Sequence, residues 1–333
     1  MNKNTALFGS TMEEVSRIGL GCMGMSGVYG KGSDEECINT IHHAIEIGCT
    51  FLDTADVYGM GHNEELIAKA LLGKRDSVFL ASKFGLSGIS NSPGVLKSNG
   101  RPEYVKSACD QSLKRLKTEV IDLYYLHRLD KETPIEETVG AMAELVQAGK
   151  VRYLGLSEVS EQTLRRAHAV HPIAALQSEL SLWHTSPIHT ILKACQELNV
   201  AFVAYSPLGR GYLTGTISQS TNFEDQDWRK IAPRFQQDAM EQNAKLLQKI
   251  HDIALEHNAS PSQIALAWLL HLSPQIFPIP GTKRIQYLKN NWASLKLSLS
   301  PEVLKTLKDL TDSIAISGHR YPERAQGLLE SGE

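Results

Sequence analysis

The stretch IDLYYLHRLDKETPIEETVGAMAELVQAGKVRYLGLS, residues 121–157, holds one complete structural unit. A β-rich run begins near Ile121 and another begins near Val151. Between them, TPIE at 133–136 predicts a helix start, because the Thr can cap the helix while the Glu three residues later reaches back. Gly149 predicts the end of that helix. The stretch therefore predicts a strand, a helix and a second strand. One face of the helix is apolar, with Ile135, Val139, Met142 and Val146.

Similar β-rich runs recur along the chain, and most are followed by an amphipathic helix. Residues 33–36 (SDEE) and 260–263 (SPSQ) repeat the helix-start signal. This alternation predicts a mainly parallel sheet with helices packed outside it. Eight strands without a break in composition favour a closed (β/α)8 TIM barrel of the α/β class, with residues 1–333 as one domain. The runs begin near Ile18, Phe51, Val78, Ile121, Val151, Ile173, Val200 and Gln275.

Four segments depart from the repeat. Residues 1–17 predict an extra hairpin that caps the barrel floor. Residues 84–100, rich in Gly, Ser and Asn, and residues 209–240, which mix glycine, charge and aromatic rings, predict long insertions at the C-terminal face. Loops of this length are usually functional or disordered. Residues 301–333 predict a terminal helix and a tail.

The composition excludes several classes of protein. The 333 residues include 34 Lys and Arg against 37 Asp and Glu, a formal net charge of −3, so no nucleic-acid or anionic-membrane partner is expected. The chain begins without a signal-peptide pattern, and no apolar run approaches the roughly 20 residues that cross a bilayer. Its five cysteines are scattered and form no C-x-x-C pair, which fits a reducing, cytoplasmic location.

Six predicted strands end in hydrogen-bonding or titratable side chains. In a barrel of this kind the active site gathers at the carboxyl ends of the strands. A capped loop or a core ion pair would explain any one of these residues, but their combination favours a functional site. The six residues are Asp53, Lys83, His127, Ser157, Gln177 and Tyr205.

Three familiar kinds of site are not favoured. A zinc or binuclear centre needs several converging ligands, and the adjacent pair His42-His43 lies mid-helix, so no metal is expected. The G-x-S-x-G elbow of serine hydrolases is absent from the sequence. GLGCMG at 19–24 matches G-x-G-x-x-G, but the next helix begins only near Ser33, and no acidic residue follows at the required spacing of about 20. It is interpreted as a glycine-rich loop at the barrel mouth.

A tyrosine near a lysine indicates a different chemistry. Tyr58 follows Asp53 by five residues, on the loop that leaves the same strand, so both can face one pocket with Lys83. The ammonium group would favour the phenolate and lower a phenol pKa that is ordinarily about 10. A neighbouring carboxylate would hold the lysine in place and charged. Tyr58 is therefore a candidate proton donor to a carbonyl group being reduced, the alternative being a surface loop residue.

At this point the chain resembles the aldo-keto reductase superfamily, and in particular its bacterial and plant branch. The resemblance runs in order from about residue 8 to residue 320. The motifs that carry it are FLDTADVYG at 51–59, ASKFG at 81–85, LHR at 126–128, GLSE at 155–158, LQSE at 176–179, AYSPLGRG at 204–211 and IPGTKR at 279–284.

The resemblance implies a catalytic tetrad of Asp53, Tyr58, Lys83 and His127, with Tyr58 as general acid, Lys83 and Asp53 as its tuning pair, and His127 orienting the substrate carbonyl. It also implies NADPH or NADP+ as cofactor. Ser157 and Gln177 would bind the nicotinamide carboxamide and Tyr205 would stack on the ring. The remaining implied contacts are Ser206, Leu208, Gly209 and Arg210 at the pyrophosphate, Gly281, Thr282, Lys283 and Arg284 at the 2′-phosphate, and Asn291 near the adenine.

Three positions depart from the family pattern. Glu158 stands where many members carry Asn, Asn290 replaces a common Glu or Gln, and Leu180 replaces a common Tyr. Lys283 and Arg284 fit a bound phosphate, because cations at a helix start otherwise oppose the helix dipole; a solvated charge pair is the alternative.

Two functions follow from the resemblance. The first is NADPH-dependent reduction of a small aldehyde or ketone; the alternative is an NADPH-binding sensor or accessory subunit of low turnover, as in potassium-channel β subunits. Loops 24–33, 84–100 and 209–240 and the tail would set specificity. Their apolar side chains would either line the pocket or anchor the loops, namely Met23, Met25, Tyr29, Trp228 and Phe235. The sequence indicates neither the substrate nor the oligomeric state.

Overall fold

A small antiparallel hairpin precedes the barrel. The computed structural model describes residues 4–30, 32–88, 96–225 and 227–330. Strands β1 (Thr5–Leu7) and β2 (Glu14–Ser16) pair with each other. Between them Phe8 is completely buried, and its ring lies 5.5 Å from Phe51 and 4.8 Å from Phe277, centroid to centroid. The hairpin thus closes the barrel floor with aromatic contacts, as predicted.

Eight parallel strands form the barrel, each hydrogen-bonded to its neighbours in chain order. The N–H of Gly19 donates to Pro278 O at 3.0 Å, and the N–H of Gly21 to Pro280 O at 3.4 Å, so the first strand also meets the last. The predicted (β/α)8 barrel is confirmed, with every strand starting within two residues of its expected position. The strands are β3 (Leu20–Gly21), β4 (Phe51–Asp53), β5 (Phe79–Phe84), β8 (Ile121–Leu126), β9 (Val151–Ser157), β10 (Ile173–Glu179), β11 (Ala201–Tyr205) and β12 (Ile276–Pro278).

Helices surround this sheet and fill its loops. The α-helices are α1 (Asp34–Ile47), α2 (His62–Ala70), α3 (Pro102–Leu116), α4 (Ile135–Gln147), α5 (Glu161–Val170), α6 (Ser186–His189), α7 (Leu192–Glu197), α8 (Gln237–Glu256), α9 (Pro261–Leu272), α10 (Ile285–Ala293), α11 (Pro301–Ser313) and α12 (Glu323–Gln326). Short 3-10 turns occur at Gly9–Thr11, Met23–Ser26, Tyr58–Gly61, Arg75–Ser77, Gly209–Thr214, Trp228–Ile231, Pro233–Phe235 and Ser294–Lys296. Within the described ranges, no helix is long and apolar enough to span a membrane.

The two long insertions contain regular structure. After β5, strands β6 (Leu86–Gly88) and β7 (Leu96–Ser98) form an antiparallel hairpin, and the predicted loop residues between them, 89–95, lie outside the described residues. The second insertion contains three 3-10 turns before α8 begins. Both insertions follow the carboxyl ends of barrel strands, as predicted for elements that surround a site.

All three predicted helix-start signals precede a helix, but among the described residues only the signal at 260–263 forms the complete capping box. Ser260 and Gln263 form a reciprocal capping box at α9, and the hydroxyl of Ser33 accepts the N–H of Glu36 at α1. The capping box predicted at 133–136 is wrong: α4 begins at Ile135, and no side chain caps it. The hydroxyl of Thr133 donates instead to Asp130 at 2.8 Å, because that carboxylate organises the loop before the helix.

The core consists of two apolar layers that leave one end of the barrel for polar groups. The apolar face predicted for α4 is buried against the sheet through Ile135, Val139 and Met142. Inside the barrel a second layer around Phe8 and Phe51 fills the floor. Apolar burial of this kind is the main stabilising contribution to the fold. The titratable side chains described next lie at the opposite end.

Candidate active site

The structure brings the six predicted strand-end side chains to one end of the barrel. Each lies within two residues of the carboxyl end of its strand, and the strands are parallel neighbours in register. Five of the six are buried despite being polar. Burying polar groups is unfavourable unless they are partnered, so their contacts define the site. These residues are Asp53, Lys83, His127, Ser157, Gln177 and Tyr205.

Lys83 lies at the centre of the site and is completely buried. Its Nζ donates to Asp53 Oδ1 at 2.5 Å, to the carbonyl of Thr54 at 2.8 Å and to the hydroxyl of Tyr58 at 3.4 Å. An ammonium group has three N–H donors, and these contacts use all three. The predicted grouping of Asp53, Tyr58 and Lys83 is thus present.

A sharply bent turn carries Tyr58 to this lysine. Gly59, Met60 and Gly61 have φ values of 59°, 57° and 95°, all in the left-handed region that glycine tolerates best. A Cβ atom at Gly59 would lie 2.8 Å from the Cβ of Ser26, so this position has no space for a side chain. The sequence YGMG therefore reverses the chain directly after the phenol.

The expected lowering of the Tyr58 pKa is wrong for this structure. Burial, followed by the negative charge of Asp53, raises the pKa of Tyr58 well above its usual value of 10. The charge of Arg128 acts in the opposite direction but does not reverse the shift. Burial also lowers the pKa of Lys83, against the opposing charge of Asp53. The phenol is consequently protonated and able to donate.

His127 is the fourth residue of the predicted tetrad, beside Asp53, Tyr58 and Lys83. Its ring lies edge-to-face with that of Tyr58, with centroids 5.7 Å apart. Burial and then the charge of Arg128 lower the His127 pKa well below its usual value, so the imidazole is neutral and has one N–H. Its Nδ1 is buried and has no hydrogen-bond partner in the described part of the chain. Such an atom suits a site that receives a polar ligand.

Two contacts near the tetrad were missed from the sequence. The amide nitrogen of Gln177 donates to Asp53 Oδ2 at 2.7 Å, so this residue supports the tetrad as well as lying at the predicted nicotinamide position. The hydroxyl of Ser157 accepts from Arg128 at 3.1 Å. Both bonds join different strands, and only the folded barrel shows them.

The predicted pyrophosphate loop follows Tyr205 and bends strongly. Ser206, Gly209, Arg210 and Gly211 all have positive φ, between 48° and 98°. The Arg210 side chain donates to Glu179 at 3.1 Å and to the carbonyl of Arg320 at 2.8 Å, so it is held against the barrel and the tail. Leu208, also in this predicted set, is buried.

The loop after β12 contains Gly281, Thr282 and the two predicted phosphate-binding cations. Arg284 has a side chain that is 60% exposed and lies 3.8 Å from Glu36, so it can approach a ligand. Lys283 is engaged: its Nζ donates to the carbonyls of Tyr29 and Gly30 at 3.3 and 2.9 Å. Lys283 therefore joins this loop to the loop after β3. A Cβ atom at Gly281 would lie 3.0 Å from Gly21 O, so the strand-end loops also touch there.

Asn291 and Asn290 have different surroundings. Asn291 is 4% exposed, and its amide makes no hydrogen bond to any residue in the described ranges, which fits the expected contact with a bound adenine. Asn290 donates to Ser260 at 3.0 Å and to Ser262 at 2.7 Å. Asn290, which departs from the family pattern, therefore stabilises the start of α9.

The chain tail supplies a buried ionic group that sequence reasoning missed. Arg320 donates to Glu158 at 2.7 Å and to Nε2 of His184 at 2.9 Å. Glu158 also accepts from the hydroxyl of Ser178 at 2.9 Å and is completely buried. We call the group of Glu158, Glu179, Arg210 and Arg320 the arginine–glutamate cluster. The sequence indicated this cluster only through Glu158, which departs from the family pattern.

The tail also reaches the predicted nicotinamide position. The hydroxyls of Tyr321 and Tyr205 are 3.0 Å apart. The Arg210 guanidinium lies over the rings of Tyr321 and Trp228, at 4.8 and 4.6 Å. The arginine–glutamate cluster thus holds aromatic side chains beside the tetrad.

The apolar loop residues divide between the two proposed roles. Met25 and Phe235 are buried in the core, which is loop anchoring. Trp228 packs on Tyr321, with ring centroids 5.7 Å apart, and so faces the tail beside the site. Leu180, the third departure, is also completely buried and belongs to the core.

Comparisons with known proteins agree with this geometry. The model of the aldo/keto reductase family matches residues 17–312. A Schizosaccharomyces pombe protein named aldo-keto reductase yakc, with NADP(+) in its name, is 45% identical over 318 residues, which cover 94% of this chain and 93% of the yeast protein. A barrel with this site and these relatives is an oxidoreductase. The chain belongs to the aldo/keto reductase family.

Solved structures share the whole architecture. The glycerol dehydrogenase of Gluconobacter oxydans superposes with a TM-score of 0.86 at 29% identity, covering 96% of this chain and 98% of its own. An aldo-keto reductase of Klebsiella pneumoniae, solved in complex with NADPH, gives 0.74 at 28% identity, with 97% and 99% covered. The match therefore extends across the barrel and its insertions.

Proposed function

We propose that this protein reduces small aldehydes or ketones to alcohols with NADPH, and that Tyr58 is the general acid. The observation that supports this most is the buried chain from Asp53 through Lys83 to Tyr58, with distances of 2.5 and 3.4 Å, beside the neutral His127. Hydrolysis or metal chemistry would not need a protonated phenol held against an ammonium group.

Several residues are suited to hold the cofactor. Tyr205 ends β11, Arg284 lies in the loop after β12, and Asn291, whose amide has no hydrogen-bond partner among the described residues, lies in the helix that follows this loop. Relatives whose names or structures include NADP(+) or NADPH support the same choice. NADPH, when bound, supplies the hydride. Ser157 and Gln177 would hold the carboxamide, and the backbone of residues 206–211 would face the pyrophosphate.

The protein's own residues then manage the proton. Reduction places negative charge on the carbonyl oxygen, and hydrogen-bond donors aimed at that oxygen lower the barrier. The Tyr58 hydroxyl protonates it, and the N–H of His127 is a second donor. Lys83 stabilises the phenolate that remains, since its positive charge lies 3.4 Å from the phenol oxygen. Asp53 fixes the ammonium group of Lys83, and Gln177 in turn fixes the carboxylate of Asp53.

A turnover assay separates this function from a sensor. The purified protein is given NADPH and a panel of aldehydes, ketones and pyridoxal, with NADPH absorbance and alcohol formation measured together. Reduction predicts that one alcohol forms per NADPH consumed. Tight NADPH binding without alcohol formation on any member of the panel would contradict the proposal and favour the low-turnover sensor.

A further inference from the structure

Arg128 is a buried cation that has no carboxylate partner among the described residues. It directly follows His127 at the end of β8 and is 8% exposed. Within the described residues it forms no ion pair, and both of its hydrogen bonds come from Nη1, to His127 O at 2.7 Å and to Ser157 Oγ at 3.1 Å. These bonds use two of five N–H donors of the guanidinium. The edge formed by Nε and Nη2 is left without a partner.

The neighbouring buried cations are paired. Lys83 has Asp53 at 2.5 Å, and Arg320 has Glu158 at 2.7 Å. A buried charge without a partner is strongly destabilising, so a fold that keeps one usually employs it. The pKa of Arg128 is raised although burial lowers it, and the charge of Glu158 is one cause. A guanidinium group in any case stays protonated in proteins. The positive charge at Arg128 is therefore permanent.

The position of Arg128 limits what can bind there. It donates to the carbonyl of His127, whose ring lies edge-to-face with that of Tyr58, and to the hydroxyl of Ser157 at the end of the next strand. A group that binds its unpartnered edge therefore lies beside the carbonyl held by Tyr58 and His127. A guanidinium edge with two nitrogens matches the planar oxygens of a carboxylate and also binds phosphate.

We propose that Arg128, beside His127 and Ser157 at the barrel mouth, selects carbonyl substrates that carry an anionic group, a carboxylate or a phosphate, close to the reducible carbonyl. This inference rests on the proposed carbonyl reduction. It defines a substrate class that the tetrad alone does not, since the tetrad contacts only the reacting oxygen. Arg128 is then a specificity-determining residue.

Matched substrates test this directly. Phenylglyoxylate and its methyl ester present the same ketone with and without a charge, and glyceraldehyde 3-phosphate with glyceraldehyde does the same for phosphate. We expect Arg128→Gln to lower the charged-to-neutral ratio of kcat/KM at least tenfold, mainly through KM. Arg128→Lys should recover part of that ratio, because it keeps the charge but not the fork. Arg152→Gln removes one exposed charge and should leave the ratio unchanged. The substrate pair whose charged-to-neutral ratio changes shows whether Arg128 selects a carboxylate or a phosphate.

A binding measurement without turnover completes the test. Calorimetry with mandelate, the alcohol product of phenylglyoxylate, should show binding to the wild-type protein with NADPH, a pair that cannot react, and at least tenfold weaker binding to Arg128→Gln. An unchanged ratio for both substrate pairs would overturn the proposal. So would a loss of NADPH affinity as large as the loss of mandelate affinity, because Arg128 would then serve the cofactor. Wild-type protein that binds mandelate through Arg128 but reduces no carbonyl would refute the proposed reduction alone.

Discussion

The two sides of the barrel mouth are built differently. On the side of β4, β5 and β8, the hydrogen bonds of Lys83 join residues that are 30 positions apart or fewer. On the side of β9, β10 and β11, Arg320 comes from the tail to meet Glu158, 162 positions earlier. Both sides bury ion pairs, but the first ends in a phenol that can release a proton, and the second fixes aromatic rings.

On the proposed function, the first side performs the chemistry and the second side positions the ligands. The tetrad side has a lysine whose three donors all point at functional groups, including the Tyr58 hydroxyl. The arginine–glutamate cluster has no such donor for a substrate proton, and its contacts reach the site through Tyr321 and Tyr205. Substitutions on the first side should therefore reduce kcat, and substitutions on the second should reduce stability and cofactor or substrate affinity.

Lys83→Met should give the largest change. Without the ammonium the phenolate left by Tyr58 has no counter-charge, and Asp53 becomes a buried carboxylate without its lysine. We expect kcat to fall by about 10²–10⁴-fold, the range of general acid catalysis. Steady-state kinetics with an aldehyde that the wild-type protein reduces measure kcat. An NADPH titration of the variant is the control. A variant with near wild-type kcat would show that the ion pair is merely structural.

Arg320→Ala tests the other side. The change removes the counter-charge 2.7 Å from a completely buried Glu158, and breaking such a pair costs about 3–5 kcal/mol. Lys150→Ala breaks an exposed pair with Asp110 and should cost about 1 kcal/mol or less. Urea unfolding of both variants gives the comparison. Equal destabilisation would mean that the tail does not hold the arginine–glutamate cluster together.

The loop after β12 should give a smaller effect. Arg284→Ala removes an exposed fork, and a charge-assisted contact contributes about 1.5–3 kcal/mol, so NADPH affinity should fall roughly ten- to hundredfold while NADH affinity stays the same. Lys283→Ala should also loosen the loop at Tyr29 and Gly30. Replacing both should abolish the preference for NADPH. Calorimetry with both cofactors measures it, and equal wild-type affinities would refute the phosphate assignment.

Asp56 should give the smallest effect. Burial, and then the charge of Glu64, raise its pKa to about 7. Because this value lies above that of an unfolded Asp, about 3.9, the protonated carboxyl stabilises the fold at low pH, and this stabilisation is lost as the pH rises through about 7. Asp56→Asn should therefore unfold at a Tm a few degrees above wild type at pH 8, and this difference should shrink steadily as the pH falls towards 4. Parallel Tm curves across this range would contradict the assignment.

The sequence predicted the tetrad side well because its signals are local. Asp53 and Tyr58 share one nine-residue motif, and Lys83 and His127 each end an apolar run. Parallel strands bring such ends together whatever the loops do. The same regularity placed all eight strands. The failed signal at 133–136 was a competition between two local hydrogen bonds, which Asp130 decided.

The other side could not be predicted because its contacts are distant in sequence. Nothing near Arg320 indicates that it lies against Glu158, and nothing near Lys283 shows that it binds carbonyls of Tyr29 and Gly30. The direction of the Tyr58 pKa shift was also hidden. It depends on burial and on the nearby charges of Asp53 and Arg128, and both are properties of the folded chain.

The central claim is that Tyr58 donates the proton from a phenol that the barrel holds in place. Tyr58→Phe removes one oxygen atom and none of the proposed cofactor contacts. The decisive measurement is its single-turnover rate at saturating NADPH, with NADPH affinity determined on the same sample. The account predicts a rate at least about 100-fold below wild type with affinity nearly unchanged. A rate close to wild type would contradict it.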